Sequence, residues 1–230
     1  MICIMTIKII EKESFMKNSK EAETHQTSIN VRKTKSIAYT ILLISGLYVL
    51  STTGWILTEN RNIMTVMEIL TIWAAVVILQ FMIELYRGSS ENRKSQSMIA
   101  LILTACMATV TIINHFIYLT VLNQIFHEKA MPSWLLLDGW PSVTKGFECV
   151  SWGFFLGMAM IFASSALTDF GNKAAAWTMR ISGILTLAGL IGPISGNMNF
   201  YILSTIGYSV GFLVISIEML VHLRIKVEKE

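Results

Sequence analysis

The sequence predicts an all-α integral membrane protein, a six-transmembrane-helix bundle with both termini in the cytoplasm. Three observations carry this expectation. The chain has 230 residues, of which 53% are hydrophobic and only 14% charged, whereas an ordinary soluble domain carries about 25% charged residues. Its mean hydropathy is +0.59. Six separate stretches are each apolar for about the 20 residues that a helix needs to cross a bilayer. The same arithmetic argues against a disordered chain, which would be poor in apolar residues and rich in charge, and against a soluble enzyme, a DNA-binding module or a secreted disulfide scaffold.

The chain opens with a cytoplasmic tail, residues 1–36, polar after a short start and without the apolar core and cleavage site of a secretory signal. The run Lys12-Glu13-Ser14-Phe15-Met16 can be encoded by a purine-rich stretch just before an ATG, as a translated bacterial ribosome-binding site would be. That reading puts the natural start at Met16 and residues 1–15 upstream of it; a short polar tail is the alternative. The transmembrane domain, 37–222, holds spans at 37–57, 63–86, 98–125, 147–168, 174–195 and 199–222, and a short C-tail, 223–230, follows. Each span is dominated by Ile, Leu, Val, Met, Ala and Phe, and in lipid such a segment must be helical because no water is there to satisfy its backbone. Turn-forming clusters separate them, such as Gly88-Ser89-Ser90-Glu91-Asn92 and Asp169-Phe170-Gly171-Asn172.

Basic residues orient the bundle. Lys8, Lys12, Lys17, Lys20, Arg32, Lys33, Lys35, Arg87, Arg93, Lys94, Lys173, Arg224, Lys226 and Lys229 fall on one side, and Arg61, Lys129 and Lys145 on the other. The richer side is the cytoplasmic one, and a cell-membrane location follows as the expectation. Trp55, Trp134, Trp140 and Trp152 gather near the opposite, outer interface, where amphipathic rings settle. The outer loop 126–146 contains the apolar run Pro132-Ser133-Trp134-Leu135-Leu136-Leu137, which reads as a short surface helix or a lid at headgroup depth. Either it caps an outward-facing site or it rests on the membrane as a connector.

Small residues one turn apart recur as Gly153/Gly157 and Gly207/Gly211, with Gly192/Gly196 closing the fifth span. Such pairs let helix backbones approach closely. They predict packing within one bundle, or alternatively a homo- or hetero-oligomer through Gly153, Gly157, Gly207 and Gly211. Pro193 lacks a backbone donor and should loosen the fifth span near its outer end.

Function must rest on the polar residues at membrane depth, each of which is costly there and needs a partner. An outer tier comprises Glu68, Asn114, His115, Tyr118, Glu148 and Trp152. At 1.5 Å per residue Glu68 lies about 8 Å below the outer face and His115 about 15 Å below it. If spans 2, 3 and 4 are neighbours, these groups converge on one pocket suited to a small cation, a proton or an amphiphile with a polar head. Each also has a plainer role: His115 bonding a neighbouring helix, Glu148 pairing with Lys145, Trp152 anchoring at the interface. An inner tier comprises Glu84, Asp169, Arg180, Glu218 and His222. Arg180 should seek a carboxylate, with Glu218 first and Asp169 and Glu84 as rivals.

No span contains a lysine for a retinal Schiff base, and HExxH, rhomboid-type GxSG and phosphate-loop motifs do not occur. The cysteines, Cys3, Cys106 and Cys149, form no CxxC pair, and no cofactor is implied. A metal site from Glu68, His115 and Glu148 would draw its ligands singly from separate helices, so none is expected. The leading expectation is small-molecule or ion binding or permeation through an outward-facing polar pocket, as in a transporter, with the lipid bilayer as surroundings and no nucleic acid. The alternatives are an interaction or sensory subunit, and a membrane-embedded enzyme acting on a lipid-like substrate.

Overall fold

A computed structural model describes residues 33–54, 57–58, 61–122, 132–135 and 139–227. Met16, Cys3 and the stretches 126–131 and 136–138 of loop 126–146 therefore lie outside the described residues. Among those described, six helices are long and apolar enough to cross a membrane: α1 (Lys33–Gly54), α2 (Asn62–Gly88), α3 (Glu91–Leu122), α4 (Val143–Asp169), α5 (Lys173–Ser195) and α6 (Met198–Arg224). No strand occurs among them. The six expected spans are thus found as six helices, in the same order.

All six helices start earlier than hydropathy predicts, and two of the larger shifts have a local cause. The fourth begins at Val143 rather than 147, because the Ser142 side chain accepts a hydrogen bond from the Lys145 backbone N–H at 3.2 Å and caps the first turn. The third begins at Glu91 rather than 98, since its first two turns hold Glu91, Arg93 and Lys94, polar residues that an apolar window leaves out. The fifth is interrupted at Gly189 and Leu190 before resuming at Ile191–Ser195. Pro193 explains the break: it has no N–H to give the carbonyl four residues back, and that carbonyl, Gly189 O, bonds Gly192 N instead.

The fourth helix is the centre of the bundle. Its most apolar window is 61% buried, against 11% for α1 at the periphery. It packs on α5 and α3, and α3 packs in turn on α2. The core runs through Phe81, Met82 and Leu85 of α2, Met107 of α3, Leu156, Met160 and Leu167 of α4, Met179 of α5, and Ile215 and Met219 of α6. The faces turned away carry exposed Leu43, Leu50, Trp73, Ile102, Ile113, Trp177, Ile184 and Ile202, which make the outer surface strongly apolar. Hydroxyl side chains inside the helices mostly bond the carbonyl four residues back, as Thr71, Thr104, Thr186 and Ser216 do, which satisfies them within their own helix.

The glycine pairs are used inside this one chain. Gly157 and Gly183 face each other across α4 and α5: a Cβ on Gly183 would stand 2.8 Å from Gly157 O, and one on Gly157 would stand 3.3 Å from Gly183 O. A Cβ on Gly207 or Gly211 would fall 2.4 Å and 2.3 Å from the hydroxyls of Thr186 and Ser182, and one on Gly153 would meet Leu190 at 2.5 Å. Gly171, with φ of +76°, makes the turn from α4 into α5, where the Asn172 side chain caps Ala175 N–H.

Candidate functional site

Helices α2 and α3 run antiparallel and meet through matched rungs. On α2 the residues Met64, Glu68 and Thr71 lie on one face, and on α3 Thr111, His115 and Tyr118 lie on the facing one. The Tyr118 hydroxyl donates to Met64 Sδ at 3.2 Å. One turn deeper, His115 Nδ1 bonds the Glu68 carboxylate. These two side chains are 4% and 6% exposed, so the pair is sealed from solvent. A carboxylate only accepts, which assigns the proton of this bond to Nδ1 when Glu68 is ionised. The other ring nitrogen, Nε2, is buried and has no hydrogen-bond partner among the described residues.

The start of α4 supplies the second polar group. The Ser142 cap sets its register and puts Lys145, Glu148 and Trp152 along one face. Lys145 Nζ lies 2.8 Å from Glu148 Oε2 and 5.2 Å from the centroid of the Tyr201 ring. Immediately afterwards the helix widens into π turns over Cys149–Phe155, and α6 does the same over Ile206–Val210. The two widened segments carry Trp152 and Tyr208, whose rings meet at 5.1 Å with an interplanar angle of 44°. Local π turns re-aim side chains that a regular helix would point elsewhere, and they recur at functional sites.

These groups share one cavity of about 220 Å³. Glu68 and His115 line it from α2 and α3, Lys145, Glu148 and Trp152 from α4, Tyr48 from α1, and Tyr208 from α6. Its remaining wall is largely apolar, and at Phe212 it joins the core, where that ring meets Phe81 edge-on at 6.5 Å. Lys145 and Glu148 keep 20% and 16% side-chain exposure, so the charged part of the lining at the start of α4 is partly open.

Of the six outer-tier residues, Glu68, His115, Glu148 and Trp152 line the cavity together. Asn114 and Tyr118 do not. Asn114 turns to the start of α4, donating to Thr144 O at 3.1 Å, and so ties α3 to the capped turn that positions Lys145. Trp152 is buried rather than placed as an interface anchor, while Trp134 and Trp140 are exposed. Among the lining residues not singled out for this pocket by sequence are Tyr48, Thr71 and Tyr208. Tyr208 lies within the expected sixth span, next to Gly207, and nothing in the sequence marked Tyr48.

The inner tier is a correction. Arg180 does not pair with Glu218. Its guanidinium stacks 5.3 Å from the Trp177 ring centroid and its Nε donates to Ser164 Oγ at 3.3 Å. Glu218 accepts instead from Thr178 Oγ1 at 3.0 Å. Asp169 is held at 2.6 Å by Arg93, and also accepts from the backbone and hydroxyl of Ser90. Glu84 pairs with Arg87 at 2.9 Å, and His222 Nε2 donates to Phe170 O at 3.0 Å. Helix rotation decides these partners: position 180 faces α4 and the surface, whereas 178 faces α6. Among the described residues, no three His, Cys, Asp or Glu side chains gather to hold a metal ion.

The fold defines a class: all-helical, with six helices long and apolar enough for a multi-pass membrane protein. Comparison of the chain with family models, curated proteins and solved structures finds no match in any of the three.

Proposed function

We propose that this protein resides in the cell membrane with both termini in the cytoplasm, and that it binds or passes a small molecule through an outward-facing cavity between α1, α2, α3, α4 and α6. One observation carries the reading. Ionisable side chains from three different helices, Glu68, His115 and Glu148, line the same largely apolar space of about 220 Å³. Ligand sites have this composition, an apolar wall with a few polar groups converging on it. In transporters they lie at membrane depth, between helices that depart from regular geometry. The volume favours a small organic molecule over a bare ion, since a cavity of about 150 Å³ already accepts benzene.

Thermal unfolding of the purified protein in detergent, screened against small organic compounds of up to about ten heavy atoms, tests the reading. The expected result is a compound that raises the melting temperature of the wild type in a saturable way and leaves a folded Thr71→Trp variant, whose cavity is filled, unchanged. Equal stabilisation of both proteins by every active compound would contradict it, as would a screen in which none is active.

A further inference from the structure

The cavity lining has a charge balance and a missing hydrogen bond that together specify an occupant. Two carboxylates line it, Glu68 and Glu148, against one ammonium, Lys145. Lys145 is committed to Glu148 at 2.8 Å. Glu68 is left with His115, an imidazole that adds no charge in its neutral form, so the lining with Glu68 ionised carries one net negative charge. In an apolar enclosure such a charge is expensive unless a cation offsets it.

The hydrogen-bond inventory narrows the cation further. With Nδ1–H donating to Glu68, His115 Nε2 presents a lone pair, and this buried atom has no partner among the described residues. A lone pair requires a donor. An alkali ion or a quaternary ammonium has no proton to donate, whereas a protonated primary or secondary amine carries both the charge and the N–H. The aromatic side chains supply the rest: Trp152 and Tyr208 stand ring to ring at 5.1 Å and both line the cavity with Tyr48. Their faces favour a nearby cation and their area favours an apolar ring.

We infer that the cavity formed around the Glu68–His115 pair and the Trp152–Tyr208 ring contact is a binding site for a small apolar amine in its ammonium form. The ammonium donates to His115 Nε2, its charge is offset by Glu68 through the imidazole, and its apolar body lies against Trp152, Tyr208 and the aliphatic wall. Size sets the limit. If about 150 Å³ holds a benzene ring, then about 220 Å³ holds a ring with a tail of two or three heavy atoms. The inference rests on the reading of this cavity as a ligand site, and names the class of molecule that fills it.

Three probes of nearly equal shape separate the two claims. 2-Phenylethylamine, 2-phenylethanol and benzoate, each with nine heavy atoms, are titrated by calorimetry into the full-length protein in detergent at neutral pH, with Trp152→Ala and Glu68→Gln measured alongside. The expected order is amine, then alcohol, then carboxylate, with the amine at least about tenfold tighter than the alcohol, a modest value for a charge met in a water-poor site. Trp152→Ala should weaken the amine, and Glu68→Gln should bring amine and alcohol within about twofold of each other, because the charge preference resides in that carboxylate. The order of the three probes in the wild type stands as a test even if Glu68→Gln does not fold. Equal binding of amine and alcohol, with both weakened by Trp152→Ala, would overturn the amine class and leave the cavity as a ligand site. Tightest binding of the carboxylate would do the same. Binding of none of the three would overturn both.

Discussion

His115 Nδ1 and the Glu68 carboxylate hold each other across α2 and α3, with both side chains almost wholly buried. Among the described residues neither side chain forms a second ion pair, and each would leave the other unsatisfied if removed. Leaving a buried polar group without its partner costs about 1–3 kcal/mol. Glu68→Leu and His115→Leu should each destabilise the protein by about that amount, and the double variant by less than the sum, with a coupling of about 0.5–3 kcal/mol. Reversible unfolding in mixed micelles measures it, and strict additivity would mean that the pair does not exist.

A second cycle tests the rearranged inner tier. Arg93 and Asp169 pair at 2.6 Å while partly exposed, and exposed pairs contribute about 0.2–1 kcal/mol after screening by solvent. The two added hydrogen bonds from Ser90 to Asp169 put this pair near the top of that range. Arg93→Ala with Asp169→Ala should therefore show a coupling of about 1 kcal/mol. Arg180→Ala with Glu218→Ala should be additive within about 0.3–0.5 kcal/mol. The reverse pattern would restore the pairing that sequence suggested.

That reversal illustrates what a sequence of this kind discloses. Hydropathy made all six helices legible, because a run of apolar residues at membrane length has few other fates. Ionisable and amphipathic residues inside those runs were legible too, which is why Glu68, His115, Glu148 and Trp152 stand out in the sequence. Two things were not. Spacing along one helix does not reveal how neighbouring helices are rotated, so Arg180 was matched to Glu218 while Thr178 has that place. Nor does an apolar alphabet mark where a helix widens, so the π turns at Cys149–Phe155 and Ile206–Val210, which carry Trp152 and Tyr208 into the cavity wall, had no signature. Tyr48 lay unseen for a simpler reason: an aromatic residue in an apolar helix is the commonplace case.

The glycine contacts predict a contrast between positions. Gly183→Val places its Cβ 2.8 Å from the Gly157 carbonyl oxygen, an overlap with backbone that no rotamer relieves, and should cost about 1–3 kcal/mol. Gly46 has nothing within 4 Å of where its Cβ would stand. Gly46→Ala should be neutral or stabilise the helix by up to about 1 kcal/mol. Melting temperatures of the two variants in the same detergent decide the matter; similar losses at both sites would contradict the close approach of α4 and α5.

The proposed orientation predicts which side of the membrane each segment occupies. In sealed right-side-out vesicles, peptide tags on both termini should resist external protease until the vesicles are opened. A cysteine introduced as Trp140→Cys, in the exposed segment before α4, should react at once with an impermeant thiol reagent. Protection of Trp140→Cys together with cleavage of either tag would invert the topology.

The central claim is that α1, α2 and α6 border one common space, and thiol competition tests it most directly. Ser45, Met64 and Ser209 line the cavity from these three helices, while Trp73 on the outer face of α2 is 58% exposed. In a background with Cys3, Cys106 and Cys149 replaced by serine, Ser45→Cys, Met64→Cys and Ser209→Cys should each accept a small water-soluble methanethiosulfonate, and Trp73→Cys should not. In paired variants, a bulky label on one cavity cysteine should block labelling of the other, because about 220 Å³ holds only one such group. Full, independent labelling of both members of a pair would show two separate environments and end the account.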